Sequence, residues 1–202
     1  MEVLYKNGNS DLQPNINSLN SVLNSLGKSH DAETAENLLK KYSTNKYATP
    51  NTASFNAVIS AWVNKDSKDS ALKAENLLKQ MEYMYGNGVE TVQPNISSYN
   101  MVLSAFARSK ESSAIFLAKN VLDRMMLIGN DGNCSVLPTL QSFCSVLSAC
   151  AHSSPEGERK EALSVAISTF KTLHSSEHVH QNSYIHAIFF KACANLMPRG
   201  EC

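Results

Sequence analysis

Pro50-Asn-Thr-Ala-Ser-Phe55-Asn-Ala-Val58-Ile59-Ser-Ala61-Trp62 puts Phe55, Val58, Ile59 and Trp62 at i, i+3, i+4 and i+7. That spacing gathers four apolar side chains on one face of an α-helix. After a polar turn the pattern returns in Ala74, Leu77, Leu78 and Met81, so residues 50–93 predict a helical hairpin. The hairpin recurs upstream and downstream, which makes the chain an array of one supersecondary unit with no single active-site cleft.

The predicted repeats run 14–49, 50–93, 94–137 and 138–180, the fourth being degenerate, with residues 181–202 forming the first helix of a truncated fifth. The first-helix stripes align position for position. They are Leu19, Val22, Leu23, Leu26; Phe55, Val58, Ile59, Trp62; Tyr99, Val102, Leu103, Phe106; Phe143, Val146, Leu147, Cys150; and His186, Phe189, Phe190, Cys193. A small residue beside each stripe (Ser25, Ala61, Ala105, Ala149, Ala192) lets a neighbouring helix approach closely. The second helices repeat most plainly as Ala35-Glu-Asn-Leu-Leu-Lys40 and Ala74-Glu-Asn-Leu-Leu-Lys79. The expected fold is all-α, an α-solenoid of helix-turn-helix repeats. Asn87-Gly88, Gly129-Asn-Asp-Gly132 and Ser153-Ser-Pro-Glu-Gly157 read as turns.

With 43% hydrophobic residues and no long apolar run, the composition is that of a folded chain with no membrane span. Lys plus Arg equals Asp plus Glu at 18 each, so no bulk basic field announces a polyanion partner. The five cysteines, Cys134, Cys144, Cys150, Cys193 and Cys202, form no Cys-x-x-Cys pair and read as inert thiols. No targeting peptide is visible at the N-terminus. Residues 1–14 align without a gap on 81–94 with seven identities, so 1–13 read as the tail of an incomplete repeat and the chain as a fragment.

The stretch from Pro50 to Ala61, followed by Ala74-Glu-Asn-Leu-Leu-Lys-Gln-Met81, resembles the pentatricopeptide repeat in a long-period form. Proline stands before the first helix, whereas the tetratricopeptide consensus closes its second helix with one. The resemblance implies a right-handed superhelix that binds single-stranded RNA at about one base per repeat. It implies base-reading residues Asn20, Asn56, Asn100 and Cys144, with partners Asn51, Asn95, Thr139 and Asn182. An amide carries both a donor and an acceptor, so its orientation can match a base edge. In family terms Asn with Asn goes with pyrimidines, while Cys144 lies outside the usual choices. The implied base-stacking positions are Asn17, Ala53, Ser97 and Gln141, whose small or polar side chains imply a weak grip. Phosphate contacts fall to Lys28, Arg108 and His152 at the ends of the first helices. The residues also have ordinary structural uses. Asn15, Asn51, Asn95, Thr139 and Asn182 stand where a helix N-cap belongs, and a cation at a helix C-terminus suits the macrodipole.

No arrangement of chemical groups points to an enzyme, a cofactor or a small-molecule substrate. His174, His178 and His180 fall in a polar exit loop without metal-ligand spacing, and His186 takes an aromatic slot of the fifth stripe as a core histidine. Two functions remain. One is a sequence-selective RNA-binding adaptor, which the resemblance associates with RNA processing, stability or translation in mitochondria or plastids. The other is a protein-binding scaffold that uses the same groove.

Overall fold

A computed structural model of the chain describes residues 15–44, 48–65, 67–109, 111, 113–130, 136–152 and 158–197. The expected repeat tail at 1–13, Cys134, Cys202 and the turns at 131–132 and 153–157 lie outside them. The described residues are helical, without strands. The helices are α1 (Ile16–Lys28), α2 (Ala32–Tyr42), α3 (Thr52–Lys65), α4 (Ser70–Gly86), α5 (Ile96–Arg108), α6 (Ala114–Asn130), α7 (Leu140–His152), α8 (Arg159–His174) and α9 (Ser183–Leu196), with a 3-10 turn at Glu90–Val92. This is the all-α architecture of a helical repeat solenoid. The chain divides into two compact units, Met1–Pro94 and Asn95–Cys202.

In the first unit, α1 pairs with α2 and α3 with α4, and α1 packs on α3. Leu19, Leu23, Phe55, Val58, Ile59 and Trp62 supply the first-helix core, each at most 4% exposed. Gly27 lies against α3, where a Cβ would make ordinary contacts with the Ala57 carbonyl oxygen at 3.5 Å and Ala61 Cβ at 3.7 Å. Trp62 Nε1 donates to Glu36 Oε2 at 3.0 Å, and Glu36 also pairs with Lys40 at 2.6 Å. The equivalent pair one repeat later is Glu75 with Lys79, at 3.0 Å. These are the i, i+4 orientations that support an isolated helix. Lys65 lies over the Trp62 ring and pairs with Glu33, whose carboxyl that bond holds below its usual range. His30 adopts a left-handed backbone at φ 60°, and its Nδ1 donates to the Asn64 carbonyl at 2.9 Å.

The longer period has its origin in the second helix, which grows from 11 residues in α2 to 17 in α4. Helix α4 ends on Asn87 and Gly88, the glycine at φ 88° supplying the left-handed residue that a helix C-terminus favours. The 3-10 turn then folds back on α3 and α4. There Val92 is fully buried, and Thr52 Oγ1 donates to the Gln93 carbonyl at 2.8 Å.

In the second unit, α7 is the central helix and packs against α5, α6, α8 and α9. Tyr99, Val102, Leu103, Phe143, Val146, Leu147 and Cys150 are fully buried. Burial pushes the Cys150 thiol up to about 12, in keeping with an inert core thiol. The fifth stripe departs from the pattern. Ile185, Ala192 and Leu196 carry the burial in α9, while Phe190 is 66% exposed although its equivalents Leu23, Ile59, Leu103 and Leu147 are at 0%. His186 is half-buried, edge-on to Phe170, which stacks on Phe189 at 4.1 Å.

The sequence predicts a turn at Gly129, but the residue lies inside α6, with Leu137 packed against it. A Cβ there would meet Leu137 Cδ2 at 2.8 Å and its Cα at 3.3 Å. The Gly129→Ala change is therefore expected to destabilise the second unit by about 1 kcal/mol, overpacking outweighing the helix propensity alanine gains in a last turn. Thermal unfolding followed by circular dichroism checks this, and a raised midpoint would contradict it.

Candidate nucleic-acid interface

The first helices share a polar N-terminal device built from a residue at the cap and a second one three positions on. Asn15 Oδ1 accepts from Ser18 N at 2.9 Å, Asn51 Oδ1 from Ser54 N at 3.1 Å, and Asn182 Oδ1 from Ile185 N at 3.1 Å. In α5 the exchange is reciprocal, Asn95 Oδ1 accepting from Ser98 N at 3.1 Å while Ser98 Oγ accepts from Asn95 N at 3.2 Å. Thr139 N likewise donates to Ser142 Oγ at 3.0 Å. The reciprocal pairs Asn51/Ser54 and Asn95/Ser98 are capping boxes with serine in place of the usual Glu or Gln. Ser54, Ser98 and Ser142 are all fully buried. The sequence reasoning missed them, though Asn/Thr-x-x-Ser recurs at 15/18, 51/54, 95/98 and 139/142.

The expected reading positions emerge in two settings. Asn20 Nδ2 donates to Asn51 Oδ1 at 3.4 Å, and Asn100 Nδ2 donates to Thr139 Oγ1 at 3.4 Å, so each lies beside its expected partner. Each also accepts from the serine of the following cap, Ser54 Oγ at 2.6 Å and Ser142 Oγ at 2.7 Å. Asn20 is half-buried, whereas Asn100 is 7% exposed. Asn56 is half-buried on α3, and Asn182 is exposed at the start of α9. Asn17, Ala53, Ser97 and Gln141 are all exposed, two residues past their caps.

Within the second unit, Arg108, Gln141, Cys144 and His152 line one shallow groove of about 500 Å³. Lys28 is exposed in the last turn of α1, in the first unit. A carbonyl can only accept, so the 2.8 Å contact between His152 Nδ1 and the Ser148 carbonyl makes Nδ1 the protonated nitrogen. Burial raises the Cys144 thiol, which suits a neutral side chain in the groove wall.

A further groove residue escaped the sequence reasoning. Tyr184 is 64% exposed and lines the same surface. It stands two residues past the Asn182 cap, the register of Asn17, Ala53, Ser97 and Gln141, and carries the aromatic ring those four lack. Extending that register one repeat further would have found it.

Among the described residues, no group of three or more His, Cys, Asp or Glu could hold a metal ion, and no helix is long and apolar enough to cross a membrane. The pentatricopeptide repeat domain matches residues 2–65. No curated protein matches the chain at significant similarity.

Proposed function

We propose, from the pentatricopeptide repeat identity of residues 2–65, that this chain is a non-catalytic adaptor that binds single-stranded RNA. Pentatricopeptide repeats are generally associated with RNA binding and belong to a non-catalytic family, commonly organellar. The observation that carries the reading is the groove of the second unit. There an exposed aromatic ring at Tyr184, an arginine at Arg108 and a histidine at His152 share one surface. A stacking platform beside phosphate-pairing groups is the combination that single-stranded nucleic acid requires.

On this reading Tyr184 stacks a base, assisted by the stacking register at Asn17, Ala53, Ser97 and Gln141. Arg108, His152 and Lys28 pair with phosphates. The reading pairs within each unit are Asn20 with Asn51, Asn100 with Thr139, and Cys144 with Asn182, with Asn56 and Asn95 as further reading residues, at about one base per repeat, with pyrimidines preferred. Its cellular place would be RNA processing, stability or translation in a mitochondrion or plastid.

Fluorescence anisotropy against short single-stranded oligomers, RNA and DNA, across a salt series tests the proposal. Binding that weakens with salt along a shallow slope is expected, because few phosphates are contacted. The Arg108→Gln change should reduce that slope by about one. Failure of the folded chain to bind RNA at low salt would overturn the reading in favour of a protein-binding scaffold.

A further inference from the structure

The orientation of an asparagine amide decides whether it presents a donor or an acceptor, and here the surrounding atoms fix it. Asn51 Oδ1 accepts the Ser54 backbone N–H at 3.1 Å, so that atom is oxygen. Ser54 Oγ accepts the Asn51 backbone N–H at 3.1 Å, which uses a lone pair and leaves the hydroxyl proton to donate. The nearest acceptor is Asn20, at 2.6 Å, against 3.2 Å to Asn51 Oδ1. The Asn20 atom facing Ser54 is therefore its carbonyl oxygen. The other end of that amide, Nδ2, faces an acceptor at 3.4 Å, so both neighbours dictate the same orientation.

The arrangement recurs in the second unit. Thr139 N donates to Ser142 Oγ at 3.0 Å, Ser142 Oγ donates to Asn100 Oδ1 at 2.7 Å, and Asn100 Nδ2 reaches Thr139 Oγ1 at 3.4 Å. Both serines are fully buried, so water does not compete for these bonds.

We propose that Ser54 and Ser142 are positioning residues that turn the carbonyls of Asn20 and Asn100 into the protein and leave N–H donors as what the amides show to a base. The proposal rests on the RNA-binding reading and sharpens it. A donor-only surface, Asn20 Nδ2 beside Asn51 Nδ2, fits a base edge with two adjacent acceptors and rejects one that presents an amino group alone beside a single acceptor. Among the Watson–Crick edges of the four bases, cytosine alone has that pattern in N3 and O2, since guanine there presents one acceptor beside two donors. Adenine offers one ring acceptor beside its amino group, and uracil interposes an N–H between its carbonyls. The half-buried Asn20 pair carries more of the discrimination than Asn100, which is more enclosed.

The test compares anisotropy affinities for twelve-nucleotide oligo(C) and oligo(A) RNA at one salt concentration, with circular dichroism as the fold check. Wild type is expected to prefer oligo(C). In Ser54→Ala with Ser142→Ala the preference falls by about fivefold to tenfold, because each amide loses its short carbonyl-side bond and is held only by the longer 3.4 Å contact on its other end. The pair Ser54→Cys and Ser142→Cys, near-isosteric with weak donors, behaves the same and guards against loss of folding in the alanine pair. Ser54→Thr with Ser142→Thr keeps the hydroxyl and the preference. Ser18→Ala removes a serine from the same register, where it bonds Asn15, and leaves the preference intact. An unchanged preference in the alanine and cysteine pairs overturns the inference alone, as does an equal fall in Ser18→Ala. Absence of RNA binding by wild type overturns the functional reading and this inference with it.

Discussion

Phe143→Ala is expected to destabilise the second unit by about 3–5 kcal/mol, the usual cost of removing a fully buried aromatic ring from a core. Phe143 is at 0% exposure on α7, the helix that packs against α5, α6, α8 and α9, so neighbouring helices would have to shift to fill the space. Such a concerted collapse conflicts with the packing of the other helices, and most of the cavity should persist. Phe190→Ala provides the contrast. The ring belongs to the same sequence stripe but is 66% exposed, and its loss should change stability by less than about 0.5 kcal/mol. Urea unfolding of both variants separates them: similar midpoints would mean that α7 is not the centre of the unit's core.

That contrast also shows how far the sequence could be read. The stripe gives the helical face, because periodicity depends on the residues of one helix alone. It does not give the neighbours of that face. Val22 is 45% exposed and Phe190 66%, while Val58, Val102, Val146, Ile59, Leu103 and Leu147 in equivalent registers are at 0%. Burial of a stripe residue depends on which helices lie against it, and that is tertiary information. Gly129 illustrates the same point, since its packing against Leu137 brings together residues that the local turn pattern does not relate. The site was legible to a similar depth. The family resemblance, not the spacing, pairs Asn20 with Asn51 and Asn100 with Thr139, and each pair lies 3.4 Å apart. The buried serines that orient those amides went unnoticed because a capping box is normally sought with Glu or Gln. Tyr184 went unnoticed because the stacking register was followed through four repeats and not into the fifth.

Tyr184→Ala should weaken binding of single-stranded RNA by about 10- to 100-fold, the range found when a base loses its aromatic platform. The ring is 64% exposed, so its removal should leave helix content and unfolding midpoint nearly unchanged, and the loss can be assigned to the ligand. Tyr184→Phe retains the stacking face and should bind nearly as wild type. Gln141→Ala, at the same register one repeat earlier, lacks an aromatic face to lose and should have a much smaller effect. The hierarchy follows from how the grip is distributed. The charged contact from Arg108 is exposed to solvent and screened by salt, whereas stacking removes apolar area from water and survives salt. The fractional loss in Tyr184→Ala should therefore persist between low and moderate ionic strength, while that of Arg108→Gln shrinks. Equal affinities of wild type and Tyr184→Ala for RNA at both ionic strengths would remove this groove from the RNA path.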